Sequence, residues 1–329
     1  MGKKTGSSVD AHRHRFGVLG YIVATKDWEG VVLGRDHGHG DEAIRTAAPE
    51  KIAVQDPPPE PDYPRYRIEP GRPLSLVDVD PDETEHYRRK KDVAKELEAQ
   101  RKRIRDLQER LYAENERGLL VVLQAMDTGG KDGTIKHVFE GINPQGCRVS
   151  SFKAPSSEEA NHDFLWRYHK SVPAKGRIGI FNRSHYEDVL VVRVKGIVPE
   201  ETWRRRYALI NDFERGLALS GIIVLKFFLH ISKEEQKRRL QARLDDPDKR
   251  WKFSSNDIKE RAFWEDYQRA FEEALNNCST EHAPWYVVPA NKKWYRNLVV
   301  ARTIADTLEA LDPRYPPAEE GLEKVTIPD

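Results

Sequence analysis

The chain has 329 residues, of which 38% are hydrophobic and 33% charged, and 55 Lys and Arg nearly balance 54 Asp and Glu. No apolar run approaches the length of a membrane-crossing helix, so the composition is typical of a globular protein that does not enter the membrane. A net charge of +1 argues against a protein that binds nucleic acid through bulk positive charge, so any anion site has to be a local cluster. Two cysteines exclude a disulfide framework, and a reducing cytoplasm is the expected location.

Residues 1–65 differ in composition from the rest of the chain. They are rich in small polar residues, and the run Pro57-Pro58-Pro59 lies near their end. Such a composition is typical of a flexible extension that ends in an extended linker. We therefore predict a flexible N-terminal extension over this segment.

A long charged helix is predicted over residues 83–116. An apolar stripe runs along it, formed by Val93, Leu97, Ile104, Leu107 and Leu111. We expect this stripe to pack against the core of the protein or against a second copy of the chain. The helix and the segment before it make up an N-terminal arm over residues 66–118.

Short apolar runs then alternate with amphipathic segments. The predicted strands cover residues 119–124, 148–153, 177–182, 222–229 and 285–289. The predicted helices cover residues 131–141, 157–170, 185–194, 199–219, 233–245, 256–276 and 292–311. The alternation predicts a catalytic domain of the α/β class over residues 119–312, with a doubly wound parallel five-stranded sheet and helices on both faces. Residues 313–329 are predicted to form a C-terminal tail.

A glycine-rich loop follows the first predicted strand and leads into a helix. Its sequence is Ala125-Met126-Asp127-Thr128-Gly129-Gly130-Lys131-Asp132-Gly133-Thr134. A buried strand, a glycine loop and a helix N-terminus together form a phosphate cradle, because backbone N–H groups and the helix dipole face the same anion. Lys131 would bridge phosphate oxygens, and Thr134 would donate from the first helical turn. The match to the P-loop pattern is imperfect, since Ala125 replaces its first glycine and Asp132 its hydroxyl residue.

Asp127 is the most informative residue of this loop. A carboxylate beside bound anions repels them unless Mg²⁺ lies between the two or the carboxylate takes a proton from the acceptor. The alternative is an Asx turn without a role in binding. The proximity of Lys131 favours the first interpretation.

Charged and polar residues also follow the later strands. Asn182, Arg183 and Glu187 lie at or just after the end of the third strand, and Arg193 lies further along the same segment. Asn182 is a second candidate metal ligand, and Arg183 would stabilise charge on a transferring phosphoryl group. Lys153 follows the second strand, at the edge of the sheet where a nucleotide or phosphate would bind.

A basic segment over residues 233–256 is predicted to form a helical lid. Arg239 and Arg243 are four residues apart and share a helix face, and a Lys-Arg-Trp-Lys cluster ending at Lys252 follows a proline turn. A charge run is usually a solvated face, which is the preferred interpretation for Lys237 and Arg238. The paired arginines and the second cluster favour a lid that closes on phosphates.

Over residues 66–311 the chain resembles the polyphosphate kinase 2 family. The resemblance is carried by four segments in order: Met126-Asp127-Thr128-Gly129-Gly130-Lys131-Asp132-Gly133-Thr134-Ile135-Lys136, Asn143-Pro144-Gln145-Gly146-Cys147, Phe181-Asn182-Arg183-Ser184, and Asp246-Pro247-Asp248-Lys249-Arg250-Trp251-Lys252. The family consists of P-loop kinases that use inorganic polyphosphate and Mg²⁺ to phosphorylate nucleotides. The resemblance therefore implies a P-loop kinase-like fold with a lid and a polyphosphate-dependent nucleotide kinase.

The resemblance also implies roles for individual residues. Asp127 would bind Mg²⁺, for which Mn²⁺ could substitute, and would position or deprotonate the acceptor. Lys131 and Arg183 would bind the transferring phosphate, and residues 239–252 would cover the polyphosphate channel. Gly133 and Thr134 would complete the loop. Asn182 stands where many members have Asp, and it occurs in the branch that phosphorylates both AMP and ADP.

The predicted reaction transfers a terminal phosphoryl group reversibly between polyphosphate and AMP or ADP, forming ADP or ATP. The alternatives are a nucleotide kinase that uses ATP as donor, and a polyphosphate-binding module without turnover. The expected partners are polyphosphate, adenine nucleotides and further copies of the chain in a homodimer or homotetramer, with neither nucleic acid nor membrane.

Overall fold

The computed structural model describes residues 66–328, so the prediction for residues 1–65 lies outside the described residues. Five parallel strands form one sheet in the order β2-β3-β1-β4-β5. The strands are β1 (Gly118–Gln124), β2 (Cys147–Ser151), β3 (Ile178–Asn182), β4 (Ile222–His230) and β5 (Trp285–Pro289). All five predicted strands are therefore present, close to their predicted bounds, and the predicted parallel sheet is confirmed.

Ten α-helices accompany the sheet in the described part of the chain. They are α1 (Lys90–Glu114), α2 (Lys131–Val138), α3 (Ser157–Ala160), α4 (Trp166–His169), α5 (Val191–Val194), α6 (Glu200–Leu219), α7 (Lys233–Asp245), α8 (Ser255–Arg261), α9 (Trp264–Cys278) and α10 (Lys293–Leu311). The predicted helices over residues 157–170 and 256–276 are each two shorter helices. The predicted helix over residues 185–194 is a 3₁₀ turn, His185–Asp188, followed by α5.

Both faces of the sheet are covered by helices. All seven residues of β1 are buried, as expected for a central strand with helices on each side. On one face, α10 lies against β4 and β5 and also packs on α1 and α2. On the other face, α6 packs on β4 and on α9. The predicted apolar stripe of α1 faces the core of the same chain, since Val93, Ile104, Leu107 and Leu111 are buried.

The N-terminal arm covers the edge of the sheet at β5. The backbone N–H of Ile68 donates to the carbonyl of Trp285 at 2.8 Å, and Arg67 forms an antiparallel bridge with Tyr286. Further along the arm, the N–H of Leu74 donates to the side-chain carbonyl of Asn276 in α9 at 2.8 Å. The arm thereby satisfies groups that an exposed edge strand would leave open. The opposite edge is β2, in which Val149 is 47% exposed.

His230, at the end of β4, makes the stability of the fold depend on pH. The side chain is buried, and burial lowers its pKa from 6.5 to about 4. The unfolded chain therefore takes up a proton that the folded chain resists, so stability is lost as pH falls from about 6.5 to about 4. We expect His230→Gln to reduce this acid-induced loss by about 3 kcal/mol, measured by urea unfolding at pH values across that range.

The control for this prediction is His86→Gln, since the His86 side chain is 75% exposed. It should leave the pH dependence of unfolding unchanged. If His230→Gln has the same pH dependence as the parent protein, the buried neutral state assigned to His230 is wrong.

Candidate active site

The glycine loop, residues 125–130, connects the end of β1 to α2 through a tight turn. The N–H of Gly129 donates to the carbonyl of Met126 at 2.9 Å. A Cβ atom on Gly129 would lie 2.4 Å from Cβ of Ala125, and one on Gly130 would lie 1.9 Å from a guanidinium nitrogen of Arg296. Gly130 also has a φ of +106°, which disfavours any other residue. Gly129 is therefore required by the close approach of Ala125, and Gly130 by its backbone conformation.

Three successive carbonyl groups of the glycine loop are held from behind by α7. The side-chain amide of Gln236 donates to the carbonyl of Asp127 at 3.0 Å. The guanidinium of Arg239 donates to the carbonyls of Thr128 and Gly129, each at 3.0 Å. In a trans peptide the N–H points away from the C=O. The backbone N–H groups of Thr128 and Gly130 therefore face away from α7. With the free amides at the start of α2, they form the concave set of donors that an anion needs.

Charged side chains gather in front of this loop at the carboxyl ends of β1 and β3. Arg183, directly after β3, places Nη2 3.2 Å from Oδ1 of Asp127. The ammonium of Lys131 donates to the carbonyl of Ala125 at 3.0 Å, folded back over the loop. Glu187 lies close enough to these groups for their charges to affect its pKa. The structure thus brings together four of the predicted residues, two cations and two carboxylates.

Burial shifts the protonation equilibria of this group. Burial raises the pKa of Glu187, while the charges of Arg183 and Lys131 act in the opposite direction. Burial lowers the pKa of Lys131, and the neighbouring Arg183 lowers it further, against the opposing charge of Asp127. Both shifts disfavour the charged form in the absence of a ligand. A bound polyanion would favour the charged ammonium of Lys131, so the site is prepared for negative charge.

A buried polar network supports the segment that carries Arg183 and Glu187. The ammonium of Lys226 in β4 donates to Glu214 at 2.5 Å, to the hydroxyl of Tyr186 at 2.8 Å and to the carbonyl of Cys278 at 2.6 Å. Nε2 of His185 lies 3.0 Å from the same carboxylate. Lys226, Glu214, Tyr186 and His185 are completely buried. This network fixes the turn after β3, where Arg183 adopts a strained φ of +63°.

Several predicted residues at the loop have partners within the protein. The side-chain amide of Asn182 donates to Asp132 at 2.6 Å. This hydrogen bond joins the end of β3 to the start of α2. The hydroxyl of Thr134 is buried and donates to the carbonyl of Gly130 at 3.1 Å, so it supports the loop instead of facing an anion. Gly133 lies beside Arg296, because a Cβ atom on Gly133 would be 3.4 Å from a guanidinium nitrogen of that arginine.

Two other predicted residues lie apart from this group. Lys153 is exposed just beyond β2, as expected for a residue at that edge of the sheet. Arg193 forms an ion pair with Glu273 in α9 and stacks over Trp203 in α6, with its guanidinium carbon 4.4 Å from the ring centre. These contacts direct Arg193 towards the helices on one face of the sheet and away from the glycine loop.

The structure assigns Arg239 a position different from the predicted one. Arg239 is 8% exposed, and besides the loop carbonyls it donates to the carbonyls of Ala290 and Asn291 and to Glu235 at 2.6 Å. Its donors are therefore used behind the glycine loop and are not directed at a ligand in front. The reason is that α7 packs with its first turns against the loop, so only its far end extends into solvent.

The far end of α7 and the turn that follows carry the remaining predicted lid residues. Arg243 is half-buried, with its guanidinium 3.3 Å from the carbonyl of Lys252 and 3.7 Å from Asp257. Lys252 is exposed, and so is Trp251, at 78%. The 3₁₀ turn Pro247–Lys252 thus presents basic and aromatic side chains to solvent, while Arg243 holds it against α8.

Three supporting residues were not predicted from the sequence. Gln236 holds the carbonyl of Asp127, Lys226 pairs with Glu214, and Arg296 packs behind the glycine loop. Gln236 and Arg239 are three residues apart on one helix face, which was the available signal for Gln236. A Lys within an otherwise apolar strand was a second signal, because a buried amine requires a carboxylate partner.

The acidic side chains of this group are suited to a hard cation held together with a ligand. Among the described residues no group of three or more His, Cys, Asp or Glu could enclose a metal ion. Mg²⁺, however, is usually held by one or two carboxylates together with water and substrate phosphates. Asp127 and Glu187 supply carboxylate oxygens of that kind beside a cradle for phosphate, so the donor set fits Mg²⁺.

The parallel sheet in the order β2-β3-β1-β4-β5, with a glycine loop after β1 and a cation after β3, defines a P-loop kinase-like phosphotransferase. The model of the family described as Polyphosphate kinase 2 matches residues 87–316. The chain belongs to this family.

Relatives and solved structures agree with that assignment. An AMP/ADP-polyphosphate phosphotransferase of Meiothermus ruber is 54% identical over 264 residues, which cover 80% of this chain and 99% of the relative. An ADP-polyphosphate phosphotransferase of Rhodopseudomonas palustris is 45% identical over 270 residues, or 77% of this chain and 91% of the relative. The crystal structure of a polyphosphate kinase 2 from Arthrobacter aurescens TC1 superposes with a TM-score of 0.76 at 48% identity, covering 79% of this chain and 93% of that one.

No helix in residues 66–328 combines the length and the apolar character needed to cross a membrane.

Proposed function

We propose that the protein transfers a phosphoryl group reversibly between inorganic polyphosphate and AMP or ADP, forming ADP or ATP, with Mg²⁺. The observation that carries the proposal is the group formed by Asp127, Lys131 and Arg183 in front of the glycine loop, with Asp127 and Arg183 3.2 Å apart. Two cations and outward-facing amides fit the charge of a phosphate chain, and the carboxylate fits the divalent cation that accompanies it.

Phosphoryl transfer requires positioning and charge neutralisation more than covalent chemistry from the protein. The amides of the glycine loop and Lys131 would hold the donor phosphates, and Arg183 would stabilise charge on the transferring group. Arg183 would then exchange its contact with Asp127 for one with phosphate. Asp127, with Glu187 nearby, would hold Mg²⁺, which supplies charge neutralisation between the carboxylates and the phosphates. The exposed basic turn Pro247–Lys252 would cover the bound chain.

The identity of the acceptor nucleotide is the more specific part of this proposal. The two relatives described above are named for transfer to AMP and ADP, or to ADP. The side-chain amide of Asn182 at the end of β3 is paired with Asp132, so the proposed carboxylates for Mg²⁺ are those of Asp127 and Glu187. A homodimer or homotetramer and a cytoplasmic location remain predictions.

The test is a matrix of donors and acceptors. Polyphosphate or ATP is supplied as donor to AMP, ADP, GMP and GDP with Mg²⁺, and the products are separated by ion-exchange chromatography. We expect ADP and ATP to form from AMP with polyphosphate in the absence of ATP. Phosphorylation of AMP by ATP together with no transfer from polyphosphate would contradict the proposal in favour of an ATP-dependent nucleotide kinase, and polyphosphate binding without turnover would indicate a binding module.

A further inference from the structure

The space behind the glycine loop contains a concentration of positive charge. Arg296 in α10 is 1% exposed, and its guanidinium lies against Gly130 and Gly133. Arg239 in α7 is the second buried guanidinium at the loop, and it lies within 3.5 Å of where a Cβ of Gly130 would be. Burial lowers the pKa of Lys293, which lies one helical turn before Arg296, and the nearby charges of Arg239 and Arg296 lower it further. Three cations therefore lie together beside Gly130, and one of them, Arg239, binds the loop carbonyls that point away from the proposed phosphate site.

Among residues 66–328, the carboxylate beside these three cations does not balance their charge. Glu235 is the carboxylate that lies among them, and it is already paired with Arg239 at 2.6 Å and with Arg238. Within residues 66–328 Arg296 forms no ion pair, and its nitrogens donate to the neutral side chain of Asn297 at 2.7 and 3.1 Å. Burial lowers the pKa of Arg296, and the charge of Arg239 lowers it further. A buried guanidinium without a carboxylate is costly, so its retention requires compensation elsewhere.

The other buried arginine of α10 provides a contrast. Arg302 is 6% exposed and forms ion pairs with Glu96 in α1 and with Glu85. The charge of Arg302 is therefore balanced by carboxylates within the protein. Arg296, about two turns earlier on the same helix, packs instead against Gly130 and Gly133, at the point where the glycine loop enters α2.

We propose that Arg296 is a positioning residue of the glycine loop whose buried charge is compensated only when a phosphate chain occupies the front of the loop. The inference depends on the proposed function, because the compensating anion is the phosphate of the donor. Arg296 would act through the loop in two ways. Its guanidinium limits how far Gly130 can move backwards, and its field, transmitted across a single layer of backbone, attracts an anion on the far side.

The proposal predicts opposite effects on stability and on binding. Arg296→Met removes the buried guanidinium and keeps an apolar chain about as long as the aliphatic stem of arginine, so the ligand-free protein should keep or raise its melting temperature. The Kd for tripolyphosphate with Mg²⁺, measured by isothermal titration calorimetry, should rise about tenfold, and the increase in melting temperature on adding tripolyphosphate should shrink accordingly. Arg296→Lys keeps the charge and should bind tripolyphosphate within about threefold of the parent protein.

Arg302→Met is the matched control on the same helix. It removes a buried arginine that has carboxylate partners, so it should lower the melting temperature and leave the Kd for tripolyphosphate unchanged. The proposal is overturned if Arg296→Met binds tripolyphosphate as the parent does, or if it loses stability in the ligand-free state as Arg302→Met does. A parent protein that neither binds nor consumes polyphosphate would instead refute the proposed function, so the two failures can be distinguished.

Discussion

Asp127→Asn is expected to lower the turnover of the polyphosphate reaction about a thousandfold while leaving the protein folded. The substitution removes one charge and almost no volume. The Asn carbonyl can still accept from Arg183, whose nitrogen lies 3.2 Å away, and the backbone carbonyl of residue 127 remains bound to Gln236. The loss should therefore come from the chemistry of the site and not from its shape.

The role of the Asp127 carboxylate determines how the loss appears in the kinetics. A nucleotide phosphate has a second pKa of about 6. At neutral pH the attacking oxygen is therefore already largely deprotonated and needs little help from a base. Holding Mg²⁺ and orienting the acceptor are then the main tasks left to Asp127. We expect the Mg²⁺ concentration for half-maximal rate to increase in Asp127→Asn, and high Mg²⁺ to restore part of the activity.

Asp106→Asn provides the control, because Asp106 is an exposed residue of α1. It should retain full activity and an unchanged Mg²⁺ requirement. Circular dichroism and melting temperature establish whether Asp127→Asn is folded. Parent-like turnover in Asp127→Asn would remove the carboxylate from the mechanism, while a loss of activity with an unchanged Mg²⁺ requirement would leave it as a positioning group only.

The strands and the glycine loop could be predicted because local signals determine them. A strand buried on both faces needs a nearly continuous apolar run, and β1 and β4 have one that in β4 is interrupted only by Lys226. The predicted helix boundaries were less accurate, because the apolar periodicity that predicts a helix can continue across a short break in the helix. Residues 157–170 form one apolar pattern, yet the side chain of Asp163 accepts from the N–H of Leu165 at 2.9 Å and ends the regularity between α3 and α4.

The positions of the arginines could not be predicted to the same degree. Helical spacing shows which side chains share a face, but not what that face packs against. Arg239 therefore resembled a lid residue, although it binds the carbonyls of Thr128 and Gly129 from behind. Arg296 carried no signal at all, because its importance arises from contact with Gly130, a residue 166 positions earlier in the chain.

Lys131→Ala is expected to abolish most turnover, with a loss of about a hundredfold to a thousandfold. Lys131 is the first residue of α2 and folds back to donate to the carbonyl of Ala125 at 3.0 Å. A donor phosphate in front of the loop would draw the ammonium away from this carbonyl and pair with it. Alanine removes that charge and leaves the helix intact, because it is a strong helix former.

The pKa of Lys131 makes phosphate binding by the parent protein depend on pH. Burial and the charge of Arg183 lower this pKa in the free protein, so the ammonium loses its proton at a lower pH than the usual 10.5. Bound phosphate favours the charged form and raises the pKa again. Binding should therefore be accompanied by proton uptake at alkaline pH, and the Kd for tripolyphosphate should rise as pH increases through the alkaline range below 10.5.

Calorimetric titrations in buffers of different ionisation enthalpy measure the proton uptake directly. Lys131→Arg separates the pH effect from the loss of charge, since a guanidinium stays protonated throughout this range. It should bind tripolyphosphate more weakly than the parent at neutral pH, with a Kd that changes little as pH rises. Lys102→Ala, at an exposed site on α1, should behave as the parent does. An equally steep pH dependence in Lys131→Arg would show that another group titrates, and the assignment of the shifted ammonium would then fail.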